Sequence, residues 1–223
     1  MSDGTESARG RLTRERVLQA ALELVDAEGL DALSMRRLAA DLGVEAMALY
    51  HHADSKGGVL DGLVEMIFVE AHRRLDEGRP ARTVRAELHR IGRTLLDVAS
   101  SHPHVLPLVT TRLLAVPLAR RPAAVLRLPD RVLGLLTEAG VDRRSAVGAY
   151  RAFSGWVLGY AVVDLRAVVD APDDPEPAIR LGLHRLRTDF PYLRALAPTM
   201  ATGGGEHEFV RGLDALMDAW QVP

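Results

Sequence analysis

The sequence predicts an all-α fold, and three observations carry that prediction. Apolar residues recur at three- and four-residue intervals through nearly every segment. Alternating runs bounded by Asn-Gly or Asp-Gly turns are missing, and glycines or prolines stand where the periodic stretches stop. A chain of 223 residues that is 48% hydrophobic can fill one ordinary domain, or a small domain joined to a medium one.

A first helix opens at Thr13, an N-cap with Leu12 and Val17 placed as a hydrophobic staple, and Gly29 ends it; Val17, Ala21, Leu24 and Val25 form its buried stripe. Ser34 caps a short second helix through Leu42, Gly43 breaks it, and a third runs from about Glu45 to His52. Asp54 or Ser55 opens a longer fourth helix with Val59, Leu60, Leu63, Val64, Ile67, Phe68 and Ala71 on one side, stopping before Gly78-Arg79-Pro80. It is long enough to carry movement from one domain to another. A fifth helix follows through Val84, Leu88, Ile91, Leu95 and Val98 until His102-Pro103-His104. Prolines from Pro103 to Pro129 divide the next stretch into short pieces. A helix through Val132, Leu133 and Leu136 ends at Gly140, and Asp142 caps a long one to about Val168, whose Ala146, Ala149, Ala152, Gly155 and Gly159 permit close packing. Asp170–Pro177 reads as an acidic surface loop, and Gly203–Gly205 as a flexible break. The terminal helix carries Phe209, Leu213, Leu216, Met217 and Trp220, a stripe wide enough to need a partner.

Charge gives no general attraction to a polyanion. The formal net charge is −2, and residues 1–56 hold seven basic against ten acidic side chains, so any polyanion site is a local patch. Lys56 is the only lysine among 28 basic residues. The absence of cysteine excludes disulfides, thiol nucleophiles and Cys-based metal sites. With no apolar leader and no long uncharged span, the expectation is a soluble cytoplasmic protein without a membrane partner.

The informative segment is Ser34 to His52. Two short helices joined at a glycine, with Leu38, Leu42, Val44 and Leu49 facing the first helix, make a helix-turn-helix whose second member enters a DNA major groove. Glu45, Ala46, Met47, Tyr50 and His51 are then left to face DNA. Tyr50 can donate to a phosphate, and Lys56, in the first turn of the fourth helix, can join backbone N–H groups in holding another. A lysine there opposes the helix macrodipole, a cost that an anionic partner offsets.

In these residues the chain resembles the TetR family of transcriptional regulators, the tetracycline-repressor branch most. The resemblance is carried by Leu33-Ser-Met-Arg-Arg-Leu-Ala39, Leu42-Gly-Val44, Leu49-Tyr-His-His52 and Ser55-Lys56 before a long helix. It spans Leu12 to Phe68 closely and the rest more weakly, through Tyr150–Val163 and Phe209, Leu213 and Leu216. It implies an all-α regulator with a flexible arm (1–11), a helix-turn-helix domain (12–56), a connecting helix (57–78) and a ligand-binding and dimerisation domain (79–223). It further implies a homodimer formed by the C-terminal helices, reading a palindromic double-stranded operator and released by a small organic effector. Arg36 takes a base-contacting position suited to guanine, Ala46, Met47 and Tyr50 take recognition-helix positions, and Ser34, Met35, Ala48, His51, His52 and Lys56 lie at or near backbone-contacting ones.

Ala46 and Met47 can offer only apolar contact, such as to a thymine methyl. Gly57-Gly58 stands where the fourth helix should propagate, so looser coupling between domains is expected. Arg9, Arg11, Arg14 and Arg16 form either a solvated arm or one that touches DNA backbone or minor groove. Phe153, Trp156, Val157 and Tyr160 have core spacing, and the family's corresponding helix faces both dimer interface and pocket; His102, His104, Leu108, Arg112, Leu113 and Leu136 are further effector-pocket candidates. The competing classes are an all-α enzyme, for which no nucleophile–base pair or phosphate-cradling loop is present, and a ligand module without specific DNA binding. The tetracycline repressor binds its drug with magnesium, yet this chain has no HExxH, Asp-rich loop or His-Asp doublet, so no metal or other cofactor is expected. A chelator should therefore leave the thermal unfolding midpoint unchanged, and a fall of several degrees would refute this.

Overall fold

The computed structural model describes residues 11–170, 190–201 and 204–223, and among them all side chains except those of 113, 114, 165–170 and 201. The described residues form ten α-helices and no strands. The chain divides into two compact units between Met66 and Ile67.

In the first unit, α1 (Arg14–Glu28) begins where the Thr13 hydroxyl accepts the Arg16 N–H at 3.2 Å, and ends at Gly29, whose φ of +83° a side chain would resist. A 3₁₀ turn, Leu30–Ala32, leads to α2 (Met35–Leu42), α3 (Ala46–Leu49) and α4 (Lys56–Glu77), which runs on into the second unit. Val17, Ala21, Val25, Leu33, Leu38, Leu49, Val59 and Leu63 are buried, and Leu18 and Leu22 widen the expected stripe of α1. A methyl group added at Gly62 of α4 would overlap Leu18, so glycine sets how closely those two helices pass. Arg14 and Glu65 pair across them at 3.1 Å.

The third helix is one turn, shorter than the expected Glu45–His52. Past Leu49 the backbone tightens, with the N–H groups of both His52 and Ala53 reaching the Leu49 carbonyl at 2.8 Å, so His51 and His52 stand in a turn. Gly57 and Gly58 also differ from expectation, since they occupy the first turn of α4. Ser55 Oγ accepts the Gly58 N–H at 3.1 Å, and glycine interrupts no helix interior there.

The second unit contains α5 (Val84–Ser101), α6 (Leu106–Ala115), α7 (Ala123–Glu138), α8 (Arg143–Asp170), α9 (Pro191–Ala201) and α10 (Gly205–Ala219). Between Pro103 and Pro122 the chain does break into α6 and a 3₁₀ turn, but α7 continues through Pro129, which leaves the Val125 carbonyl without its usual i+4 donor. Asp142 caps α8 by accepting from the Arg144 and Ser145 N–H groups, and hydrogen bonding from the Ser145 side chain, then from these N–H groups, lowers its carboxyl pKa. That helix extends through Asp170, while 171–177 of the expected acidic loop and Gly203 lie outside the described residues. α9 has no counterpart in the sequence reading.

α8 is the central element, packed against α5, α6, α7 and α10. Ile91, Val132, Leu136, Phe153, Phe209, Leu213 and Met217 make the core, so the stripe of the terminal helix has its partner within the chain. No helix among the described residues is long and apolar enough to cross a membrane.

A buried carboxylate organises one end of this unit. Glu87, 3% exposed, accepts hydrogen bonds from Arg90 Nη2 (2.6 Å), Arg90 Nε (2.8 Å), the Ala81 N–H (2.9 Å) and Arg131 Nη2 (3.0 Å). Arg90 also donates to the Leu75 carbonyl at 2.9 Å, and Arg131 to Asp76 at 3.3 Å. Burial pushes the Glu87 carboxyl up, but these donors outweigh it and leave its pKa below the ordinary carboxylate range. A depressed folded-state pKa stabilises the fold above the unfolded value, and that contribution is lost as pH falls through the folded one. Glu87→Gln should lower stability at neutral pH by about 3 kcal/mol, toward the low end for a broken buried pair because both arginines keep some exposure. The variant should also lose part of the acid limb of the stability–pH curve. Denaturant unfolding between pH 3 and 7 measures both, and parallel curves would refute the assignment.

Candidate nucleic-acid interface and ligand cavity

The helix-turn-helix geometry follows from two local devices. Ser34 is extended (φ −141°, ψ 153°) and its Oγ accepts the Arg37 N–H at 3.1 Å, opening α2. Gly43 is left-handed (φ 66°, ψ 36°), with its N–H on the Ala40 carbonyl and the Val44 N–H on that of Ala39. This is a Schellman termination, and it turns the chain sharply into α3. Leu38, Ala39 and Leu49 are buried, whereas Leu42 and Val44 are half-buried.

What remains exposed is of mixed chemistry. Ser34, Arg36, Glu45, Met47, Tyr50, His51 and Lys56 are exposed, Met47 by 72%; Met35, Ala46, Ala48 and His52 are half-buried. The two adjacent arginines of α2 differ. Arg37 is held by Asp41 (3.0 and 3.1 Å) and Glu28 (2.8 Å), and these bonds raise its pKa. Arg36, Lys56 and the Tyr50 hydroxyl have no hydrogen-bond or ion-pair partner among the described residues. Three polar tips are thus exposed without a described partner, and Lys56 opens α4 where backbone N–H groups lack intrahelical acceptors.

Within the second unit lies a cavity of about 140 Å³, walled by side chains of α4 to α8. Of the sequence candidates, His102, Phe153 and Val157 line it. His102 also takes part in a polar cluster, with Nε2 3.1 Å from Glu70, which Arg74 Nε meets at 2.9 Å. Burial raises the Glu70 pKa, but the bonds with Arg74 and His102 outweigh it, and the net shift is downward.

Other candidates stand elsewhere. Leu108 and Leu136 are buried but are not in the cavity wall, and Leu136 belongs to the core around Phe153. His104 and Arg112 do not line it, and the Leu113 side chain lies outside those described. Trp156 and Tyr160 turn toward α10, donating to the carbonyls of Phe209 (3.0 Å) and Gly205 (2.7 Å). The reason is angular, because residues four apart share a row and 156 and 160 fall on a different row from 150, 154 and 158. Sequence reasoning missed Phe68, Leu95, Leu106, Arg121, Tyr150 and Ser154. Tyr150 and Ser154 share a row with Leu158, a spacing that could have been read once the cavity side of α8 was known. Arg121 follows no such period.

Among the described residues no group of three or more His, Asp or Glu side chains is placed to hold a metal ion.

Residues 17–63 match the family described as bacterial regulatory proteins, tetR family, and residues 77–220 match the tetracyclin repressor-like C-terminal domain. The chain belongs to the TetR family. It is 33% identical over 211 residues to an HTH-type transcriptional regulator of Saccharopolyspora erythraea, covering 92% of this chain and 83% of that protein. It is 31% identical over 228 residues to the class D tetracycline repressor protein of Escherichia coli, covering 95% and 90%. A possible TetR-family transcriptional regulator from Streptomyces coelicolor A3(2) has the same fold, with a TM-score of 0.76 at 24% identity and coverage of 93% of this chain and 98% of that one. This TetR-family chain is a transcriptional regulator rather than an enzyme, with a helix-turn-helix domain followed by a ligand-binding C-terminal domain.

The place of Trp156 in this TetR-family regulator is testable. A methyl group at Gly212 would overlap its indole ring, so Gly212→Ala should force that ring aside and cost about 1–3 kcal/mol of stability. Chemical denaturation with tryptophan fluorescence measures it, and unchanged stability would contradict the interlock.

Proposed function

We propose that the protein is a homodimeric repressor that binds a palindromic operator through Arg36, Met47, Tyr50 and Lys56 and is released by a small organic effector held in the cavity of the second unit. The observation that carries the DNA assignment is the contrast within α2: one arginine neutralised by two carboxylates, its neighbour exposed with no ion pair among the described residues. Arg36 can pair with a guanine edge, Met47 can meet a thymine methyl, and Tyr50 and Lys56 can hold phosphates. Ser34 accepts the Arg37 N–H but keeps its own hydroxyl proton to donate.

Dimer formation through the C-terminal helices is supported by what α8 and α9 leave open. Val147 and Val163 are exposed on α8, and open space lies over Gly155 and Gly159 between them. On α9, Tyr192, Leu193, Leu196 and Met200 are all exposed, an apolar surface suited to a second copy. Two-fold symmetry then presents two recognition helices to half-sites about 34–36 Å apart. Effector binding favours an arrangement that no longer matches this spacing, and a coupling of about 1–3 kcal/mol lowers operator affinity roughly 5- to 150-fold.

Selection of genomic fragments by the full-length protein tests the proposal. Recovery of a palindrome is expected, whereas absence of enrichment would favour a ligand module without specific DNA binding. On a recovered operator, Arg36→Ala and Tyr50→Ala should each weaken binding by about 1–3 kcal/mol while the dimer persists. Lys56→Ala should reduce the salt slope by about one. Unchanged affinity in the first two variants would refute the docking.

A further inference from the structure

The cavity wall combines an apolar body with a small set of donors. Phe68, Leu95, Leu106, Val125, Phe153 and Val157 surround the space, and among the described residues no aspartate or glutamate lines it. Arg121 is the exception in charge. Its Nε donates to the Val116 carbonyl at 3.1 Å, which fixes the root of the guanidinium. Its two terminal nitrogens have no hydrogen-bond partner among the described residues, and no described carboxylate pairs with it. Tyr150 and Ser154 both line the wall, and their hydroxyls are likewise without a partner among the described residues. His102, the other polar wall residue, is engaged by Glu70.

A guanidinium beside low-dielectric walls and uncompensated by any described acid favours an anion, and its planar fork matches a carboxylate in particular. A 140 Å³ space compares with cavities of roughly 150 Å³ that admit a benzene ring, so the cavity as a whole suits a body of about one ring. We infer that the effector is an amphipathic carboxylate, whose single-ring or branched hydrocarbon body fills the apolar part of the cavity while Arg121 binds its acid group. This inference rests on the reading of the cavity as the effector site. Tyr150 and Ser154 are the candidate donors for the remaining carboxylate lone pairs.

The test titrates the full-length protein with 4-ethylbenzoate and with 4-ethylbenzamide, nearly equal in shape but differing in charge. The acid should bind about tenfold to a hundredfold more tightly than the amide, the range expected of one or two charge-assisted hydrogen bonds. In Arg121→Met, which keeps an apolar stem, the two affinities should converge, with thermal unfolding used to verify that the variant folds. Ser154→Phe, which fills the cavity, should abolish binding of both. Equal binding of acid and amide, no binding of the acid, or a preference that persists in Arg121→Met overturns the inference. If both compounds bind equally and Ser154→Phe abolishes both, only the anion assignment has failed. If Ser154→Phe leaves binding intact, the reading of the cavity as the ligand site has failed with it.

Discussion

The second unit depends on how α8 is locked against α10. Two tryptophans are exchanged between them, Trp156 of α8 lying over Gly212 and Trp220, at the end of α10, lying over Gly148. A Cβ at either glycine would overlap the facing ring, so the helices reach this separation only because both positions lack one. Tyr160 extends the seam with its hydroxyl on the Gly205 carbonyl and its ring edge-on to Phe209 at 5.2 Å. Burial first, then the charges of Asp164 and Glu208, raise the Tyr160 pKa and keep that hydroxyl a donor. Locking one row of a helix fixes all the others. With 148, 156 and 160 committed to α10, Tyr150, Ser154 and Leu158 must face the cavity, and Val147, Arg151, Gly155, Gly159 and Val163 are left exposed. Core, cavity wall and open face are therefore three consequences of one rotation.

This arrangement explains what the sequence disclosed and what it withheld. Periodicity, capping serines and threonines and helix-ending glycines are local, and they marked α1, α2, the start of α4 and the Asp142 cap of α8 nearly to the residue. The helix-turn-helix and the exposure of Arg36, Tyr50 and Lys56 were legible too, because that motif is built from contacts within some forty residues. The assignment of aromatic residues to faces of α8 was not local. Phe153, Trp156, Val157 and Tyr160 look alike as a spacing pattern, and what separates the cavity pair from the seam pair is Gly212 and Phe209, some fifty positions away. Arg121 was invisible for a related reason: it follows a 3₁₀ turn, where no helical period says which way a side chain points.

Composition misled in an instructive way. Seven basic against ten acidic side chains in residues 1–56 argue against a polyanion partner when charges are counted as a sum. Glu28 and Asp41, however, spend their charge on Arg37 at hydrogen-bonding distance, and Glu65 of α4 faces Arg14. The Arg37 cluster keeps one net negative charge, but screening with a Debye length of about 8–10 Å confines its effect to its own surroundings. An unpaired cation on the outer face does not cancel. The field that a ligand meets is set by which charges already have partners.

The same reasoning separates the arginines of the second unit. Arg90 and Arg131 converge on the buried Glu87 and are structural, since their charge keeps that carboxylate ionised and the carboxylate in turn joins the end of α4, the loop at Ala81, α5 and α7. Arg121 has no such acid among the described residues and stands against apolar walls. A guanidinium resists deprotonation in proteins, so its environment must accept the charge by solvation or by an anion brought from outside. Phenylalanine, leucine and valine side chains supply no solvation, and half-burial of Arg121 limits what water supplies. Where a fold uses paired arginines to hold itself together, an arginine that the described residues leave without an acid, half-buried at the wall of an apolar cavity, is a position at which an acidic ligand gains from binding.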